Sequence, residues 1–292
     1  MSTDQFVQYL ISGLTQGSIY ALVGLGFTMI YAVTRIINFA QGEFVMLGGM
    51  LSFVLLDSAN LPLAASILLA ILIATILGAV LQVLAIRSAR KASHVSLIII
   101  TIGAAIFIRG IAKELWGVDP RPLPAFSGDT PIRFLGAFVQ PQALWIMGTT
   151  VATAVALHLF LSYTTIGKAL KASSVNPAAA PLVGVNPKVT GLIAFVLAAL
   201  MGALCGAVTA PLTKVKYDVG ITLGLKGFVA ASIGGFRSPW ATVAGGILLG
   251  VVESFAVAAD WGPFTSAYKD AIALVVLLVV LLVMSGRLAQ ED

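Results

Sequence analysis

From Phe6 to Val33 the chain reads F-V-Q-Y-L-I-S-G-L-T-Q-G-S-I-Y-A-L-V-G-L-G-F-T-M-I-Y-A-V, without one charged side chain. A helix needs about 20 mostly apolar residues to cross the hydrocarbon core of a bilayer. In lipid, a spanning segment must satisfy its own backbone polar groups, so an isolated run of this length has to be helical. Comparable runs recur at Phe39–Leu56, Leu61–Ile86, Val95–Ala112, Ala143–Tyr163, Val189–Ala210, Trp240–Ala258 and Tyr268–Met284. The last contains A-I-A-L-V-V-L-L-V-V-L-L-V-M, the clearest span of all. Only 10% of the 292 residues are charged, against about 25% in soluble domains, too few to cover a water-facing surface. The expected fold is therefore all-α: a polytopic integral membrane helical bundle forming one transmembrane domain over residues 1–292. Eight or nine membrane segments are expected. The uncertain one is Val219–Phe236, a Gly-rich stretch holding Lys226 that could be broken, re-entrant or fully crossing.

The net charge of +5 is scattered, with no basic run interleaved with aromatics, so nucleic acid is not an expected partner and membrane lipid is. The basic residues serve better as topology signals. Ile86–His94 carries Arg87, Arg90 and Lys91 with no acid, and Thr164–Lys188 carries Lys168, Lys171 and Lys188 with no acid. Gly117–Pro141 mixes Asp119 and Asp129 with Arg121 and Arg133. Asp57, Asp218, Asp260 and Asp270 fall near other turns, and Arg237 and Arg287 flank spans. Basic loops stay in the cytoplasm. That rule puts the N-terminus outside and the C-terminus inside, with Lys214 and Lys216 on the outer face against the trend.

Small residues punctuate the spans. Gly13 and Gly17, Gly202 and Gly206, and Gly246 and Gly250 have the spacing that lets helix backbones approach closely. The single cysteine, Cys205, excludes an intrachain disulfide and reads as a small packing residue.

Catalytic chemistry finds little footing. His94 and His158 have no partner at metal-ligand spacing, and no Gly-x-Ser-x-Gly elbow occurs. No phosphate-binding Gly-x-x-x-x-Gly-Lys-Ser/Thr loop is present, so this chain is not expected to bind ATP that way. No catalytic residue, bound cofactor or metal site is expected. What remains is polarity inside the spans. Glu43 and Glu253 lie well within apolar segments, where an ionisable group costs about 2.5–3.5 kcal/mol on insertion scales and so faces a bundle interior or an aqueous cavity. Arg35, Asn38 and Gln41 are the nearby donors expected to satisfy Glu43, and Gly42 lets a neighbouring helix close in. These residues are candidates for lining a pathway or for locking helices. Lys226 is expected to snorkel or to form a structural pair.

One loop stands apart: T-T-I-G-K-A-L-K-A-S-S-V-N-P-A-A-A-P-L-V-G-V-N-P-K, residues 164–188. A short helix is expected over Pro177–Val183, with Asn176 as its N-cap and Gly184 ending it. It would present Ala178, Ala179, Ala180, Leu182 and Val183 to a soluble partner. Broken Gly-rich segments and an embedded Glu would also suit a transporter working by itself on an ion gradient, but an apolar docking loop favours a subunit of a larger machine.

Three ordered stretches carry a resemblance. R-I-I-N-F-A-Q-G-E-F-V-M-L-G-G-M at 35–50, G-K-A-L-K-A-S-S-V-N-P-A-A-A-P-L-V-G-V-N at 167–186 and A-S-I-G-G-F-R-S-P-W-A-T-V-A-G-G-I-L-L-G-V-V-E-S at 231–254 resemble the LivH-type permease subunits of bacterial branched-chain amino acid ABC importers. The resemblance covers essentially the whole chain. It implies a bacterial inner-membrane protein and a second permease of the LivM type. It also implies two cytoplasmic ATPases carrying ATP and Mg, and an extracytoplasmic solute-binding protein. It makes 164–188 the loop that docks an ATPase, through Gly167, Lys168, Ala172, Asn176, Ala179, Gly184 and Asn186. Pro181 departs from the family and should shorten or kink the docking helix. Similar permeases serve urea and amide importers.

Overall fold

The computed structural model describes residues 2–89, 92–236 and 238–258, with 271, 274–276 and 278–279 beyond them. The segment Tyr268–Met284 falls largely outside the described residues, as do Arg90, Lys91, Arg237, Asp260, Asp270 and Arg287. Within them the chain forms α1 (Thr3–Thr34), α2 (Gln41–Asp57), α3 (Leu63–Leu81), α4 (His94–Trp116), α5 (Pro141–Tyr163), α6 (Thr165–Val175), α7 (Pro187–Thr213), α8 (Val219–Ile233) and α9 (Pro239–Ala258). α3 runs on into one π-helical turn, Gln82–Ile86.

Several helices start where a side chain can take up an orphan backbone N–H. Ser2 and Gln5 form a reciprocal capping box on α1. Ser93, Thr164 and Asn186 accept from backbone donors at the starts of α4, α6 and α7.

α1, α3 with its π turn, α4, α5, α7 and α9 are long and apolar enough to cross a membrane. α2 and α8, at 17 and 15 residues, are shorter. At about 1.5 Å per residue they fall short of a hydrocarbon core about 30 Å thick. The Gly-rich segment is therefore not a broken crossing. It is one unbroken short helix that starts late, after the non-helical approach of residues 214–218. The apolar run at 39–56 is likewise a short helix rather than a full span.

The molecule divides into a dense side and an open side. α1 is buried nearly all round, from Ile19 to Ile30, as befits a helix apolar on every face. α9, α7 and α8 enclose it. Gly13 and Gly17 lie against Gly250 and Ile247 of α9, so a Cβ on any of these glycines would overlap the opposing backbone. Gly206 of α7 meets Val45 of α2 in the same way, and Cys205 is fully buried beside it. The expected close packing at these glycine pairs is what the fold contains. α3, α4 and α5 instead turn rows of Leu, Ile, Val and Phe outward, including Leu72, Ile106, Phe107 and Val151. α4 packs mainly on α2 and on the π turn of α3.

The all-α expectation misses one small element. β1 (Ile132–Phe134) and β2 (Ala137–Val139) pair antiparallel, Ile132 opposite Val139, in the loop before α5. The Gln8 side chain donates to the Phe138 carbonyl at 3.2 Å and accepts from its N–H at 2.8 Å. This places the start of α1 and the hairpin on one face of the bundle. Arg121 and Val215 exchange two backbone hydrogen bonds, bringing the approach to α8 to that same face.

Candidate translocation core and coupling face

After α1 the chain re-enters the bundle instead of staying at its surface. Arg35 ends α1 in the left-handed region (φ 58°), an uncommon conformation for a residue with a Cβ. Its guanidinium donates to the Ser174 carbonyl of α6 at 2.8 Å and lies over the Tyr31 ring. The Phe39 N–H then donates to Thr101 Oγ1 of α4, and Asn38 Oδ1 accepts from the Ala40 N–H. By Gln41 the chain is deep inside: Gln41 packs on Gly26 and its Nε2 donates to the Ala198 carbonyl at 3.0 Å. Both contacts lie about two turns or more from the nearest ends of their helices. The polar stretch is thus not the entry to a full second span, as the apolar run Phe39–Leu56 had suggested. It is the buried beginning of a half-length helix.

Gly42 explains how two half-length helices meet. Its Cα side faces the Gly220 backbone and Gly224 of α8, with no room for a side chain. α2 and α8 therefore start against each other inside the bundle.

Glu43 does not take its partner from Arg35, Asn38 or Gln41. Its Oε1 accepts from Arg109 Nε at 3.2 Å and Nη2 at 3.0 Å, across from α4. Glu43 is buried, whereas the Arg109 side chain keeps 24% exposure. Sequence neighbours lie along the same turn or behind the helix, and only a facing helix can present a fork to the carboxylate. Arg109 escaped the sequence reading, which weighed acids within spans. Its signal was a cation inside the otherwise apolar run Val95–Ala112. Asn38 Nδ2, Gln41 Oε1 and Glu43 Oε2 are buried without a hydrogen-bond partner among the described residues.

The second acid is held differently. Glu253 of α9 accepts from Lys226 Nζ of α8 at 2.6 Å, and the same ammonium donates to Tyr20 Oη of α1 at 3.2 Å. Both charged side chains are almost wholly buried. Lys226 forms the structural pair and does not snorkel. The group ties α1, α8 and α9 together.

The 164–188 loop is built unlike its sequence forecast. The helix lies earlier, at α6, where the Thr164 hydroxyl accepts from the Gly167 N–H. A Cβ on Gly167 would overlap the end of α5. Pro177–Val183 forms turns and a single 3₁₀ turn, Ala180–Val183, because Pro177 and Pro181 supply no N–H for a longer helix. Asn176 still gathers the Ala178 and Ala179 N–H groups, and Gly184 closes the turn at φ 83°. Ala180 is buried, contrary to its forecast exposure, and Ala172 and Ala179 are half-buried. Val175, Leu182 and Val183 stand out with Lys168, and they make the apolar surface. Asn186 caps α7 through the Lys188 N–H, so its side chain serves the fold. Ser173 is buried against Thr190, joining α6 to α7.

Comparison with known proteins decides what this architecture serves. The family profile described as branched-chain amino acid transport system / permease component matches residues 9–281. The chain belongs to that permease family. It is 32% identical to the high-affinity branched-chain amino acid transport system permease protein LivH of Salmonella typhimurium, over 98% of this chain and 96% of that protein. It is 31% identical to BraD of Pseudomonas aeruginosa, a permease protein of the same description, over 95% and 93% of the two chains. The ribose import permease protein RbsC of Haemophilus influenzae is 26% identical over 94% of this chain and 84% of its own. The chain is thus a multi-pass membrane permease and not an enzyme, and membership of this family argues against a lone ion-coupled carrier.

Proposed function

We propose that this chain is one of two membrane subunits of an ATP-driven importer that carries branched-chain amino acids by alternating access. Two cytoplasmic ATPases and an extracytoplasmic binding protein complete it, and the second membrane subunit is of the LivM type. The carrying observation is similarity over nearly the full length to permeases of that description. Reconstitution with the subunits encoded beside it, followed by labelled-leucine uptake, tests the reading. Uptake that requires ATP and the binding protein is expected. A complex that assembles, hydrolyses ATP and ignores leucine, isoleucine and valine would sink the solute assignment.

The outer face is the one bearing the N-terminus, the β1–β2 hairpin and the approach to α8. The Gln8–Phe138 and Arg121–Val215 contacts support this grouping. The inner face carries the acid-free loops and α6. There the ATPase docks on Val175, Leu182 and Val183, with Lys168 beside them. Arg35 at the end of α1 and Ser173 against α7 supply two links from α6 to the spans.

α4 faces the second permease. Its sparse packing within this chain supports that placement, as do Gly103 and Gly110, which open onto free space seven residues apart on one side of the helix. Arg109 lies next to Gly110 with its side chain partly exposed. These features support a position for the Glu43–Arg109 pair beside the channel between subunits. Surplus polar capacity on Asn38, Gln41 and Glu43 supports a hydrated or solute-adjacent position rather than a purely mechanical one.

A further inference from the structure

A cavity of about 260 Å³ opens between α1, α5, α6 and α9 at the ends of those helices that carry the basic loops. Its composition is graded. The deeper wall is Met29, Val33, Leu161 and Leu170, apolar residues along α1, α5 and α6. The outer rim is Lys171, Ser174 and Ser238, with Trp240 and His158 closing one side. No carboxylate lines it among the described residues. The Arg35 guanidinium reaches the Ser174 carbonyl at its edge. Ser238 accepts from the Ala241 N–H, which leaves its hydroxyl proton available. The start of α9 adds the positive end of a helix.

We propose that this cleft binds the phosphate headgroup of an anionic glycerophospholipid. Two cations, a hydroxyl and a helix start favour a phosphate monoester or diester. The apolar wall decides the source. A free phosphate ion would gain nothing from Met29, Val33, Leu161 and Leu170, whereas the glycerol and first acyl carbons of a lipid would bury against them. The site lies where α1 and α5 end and α9 begins, the depth of a headgroup, with half-exposed Trp240 as the interfacial aromatic. Basic pockets between helices on the cytoplasmic side are suited to anionic lipids. Because Lys171 and Ser174 belong to α6, an occupied cleft would brace the helix proposed to meet the ATPase. The lipid assignment holds whichever solute is carried.

Trp240 supplies the measurement. The assembled importer is placed in phosphatidylcholine vesicles holding a minor share of brominated phosphatidylglycerol, and in matched vesicles where the brominated lipid is phosphatidylcholine. The Trp240 signal is the difference between the native chain and Trp240→Phe. Brominated phosphatidylglycerol should quench it at about one-fifth or less of the mole fraction that brominated phosphatidylcholine requires, since each of the two cations alone supports a preference of about fivefold. Lys171→Glu should erase the preference, while Lys188→Glu, on the same face but outside the cleft, should keep it. Added inorganic phosphate should not displace the lipid. Equal quenching by both lipids, equal loss in both variants, or displacement by free phosphate would each overturn the proposal. A native melting temperature of the Lys171→Glu chain in lipid-free detergent certifies that the variant is folded.

Discussion

Among the described residues, two ion pairs hold a buried glutamate in opposite settings. Lys226 and Glu253 sit on the dense side, with Tyr20 adding a third anchor and glycine contacts holding α9 against α1. Glu43 and Arg109 sit where the dense side meets the open side, and Arg109 belongs to α4, which leans on little else in its own chain. Desolvating two charges is costly, and their attraction offsets that cost only with good geometry and further hydrogen bonds. The first pair has both in a sealed environment. The second keeps one partner half-open. A sealed pair behaves as part of the scaffold, whereas a half-open pair can exchange partners when a neighbouring surface moves.

Breaking each pair should expose that difference. Lys226→Ala strands a buried carboxylate, and loss of about 3–5 kcal/mol is expected, seen as depletion of the chain from membranes and a lowered melting temperature. Removing both partners in Lys226→Ala/Glu253→Ala should recover much of that loss, and a double variant no better than the single would break the comparison. Filling the α2–α8 contact with Gly42→Val should also be severe, because the Gly220 backbone cannot withdraw without shifting a helix. Thermal unfolding close to that of the native chain would show that the two helices are not held where they meet.

Milder effects belong to the other side. Glu43→Ala should leave the importer assembled while lowering uptake by about tenfold, on the order of one charge-assisted hydrogen-bonding interaction. Normal uptake kinetics would remove Glu43 from the pathway. Leu182→Asp should reduce co-purification of the ATPases several-fold with stability within about 0.5 kcal/mol, since the side chain is 87% exposed. Retained co-purification would move the docking face elsewhere. Smallest of all, Gly103→Ala should leave the isolated chain unchanged or slightly more stable, by about 0.5–1 kcal/mol from helix propensity. Gly103→Leu should instead weaken pairing with the second permease, and intact pairing would turn α4 toward lipid.

Much of this was legible in advance. Long apolar runs marked α1, α3, α5, α7 and α9 within a few residues, because hydrocarbon demands a continuous apolar helix of near-fixed length. Glycine spacing pointed to the close helix pairs. Glu43 and Glu253 stood out because a carboxylate in an apolar run needs a reason. Their partners did not stand out. Arg109 is 66 residues from Glu43, and Lys226 is 27 from Glu253. The nearest donors along the chain were the wrong ones. The docking segment was found but its helix was misplaced, since Asn176-Pro177 can open a helix or close a turn. The second proline decided between them.

By itself, the sequence determined that this protein lives in lipid, which long segments are helices and where polarity must be hidden, because these follow from local composition against a solvent of fixed thickness. Only the tertiary structure decided that two helices stop half-way and meet at Gly42 and Gly220. The same holds for Glu43 answering to α4 and for a basic cleft opening beside α6. Those outcomes depend on which faces meet, and a meeting of faces is set by packing between segments distant along the chain.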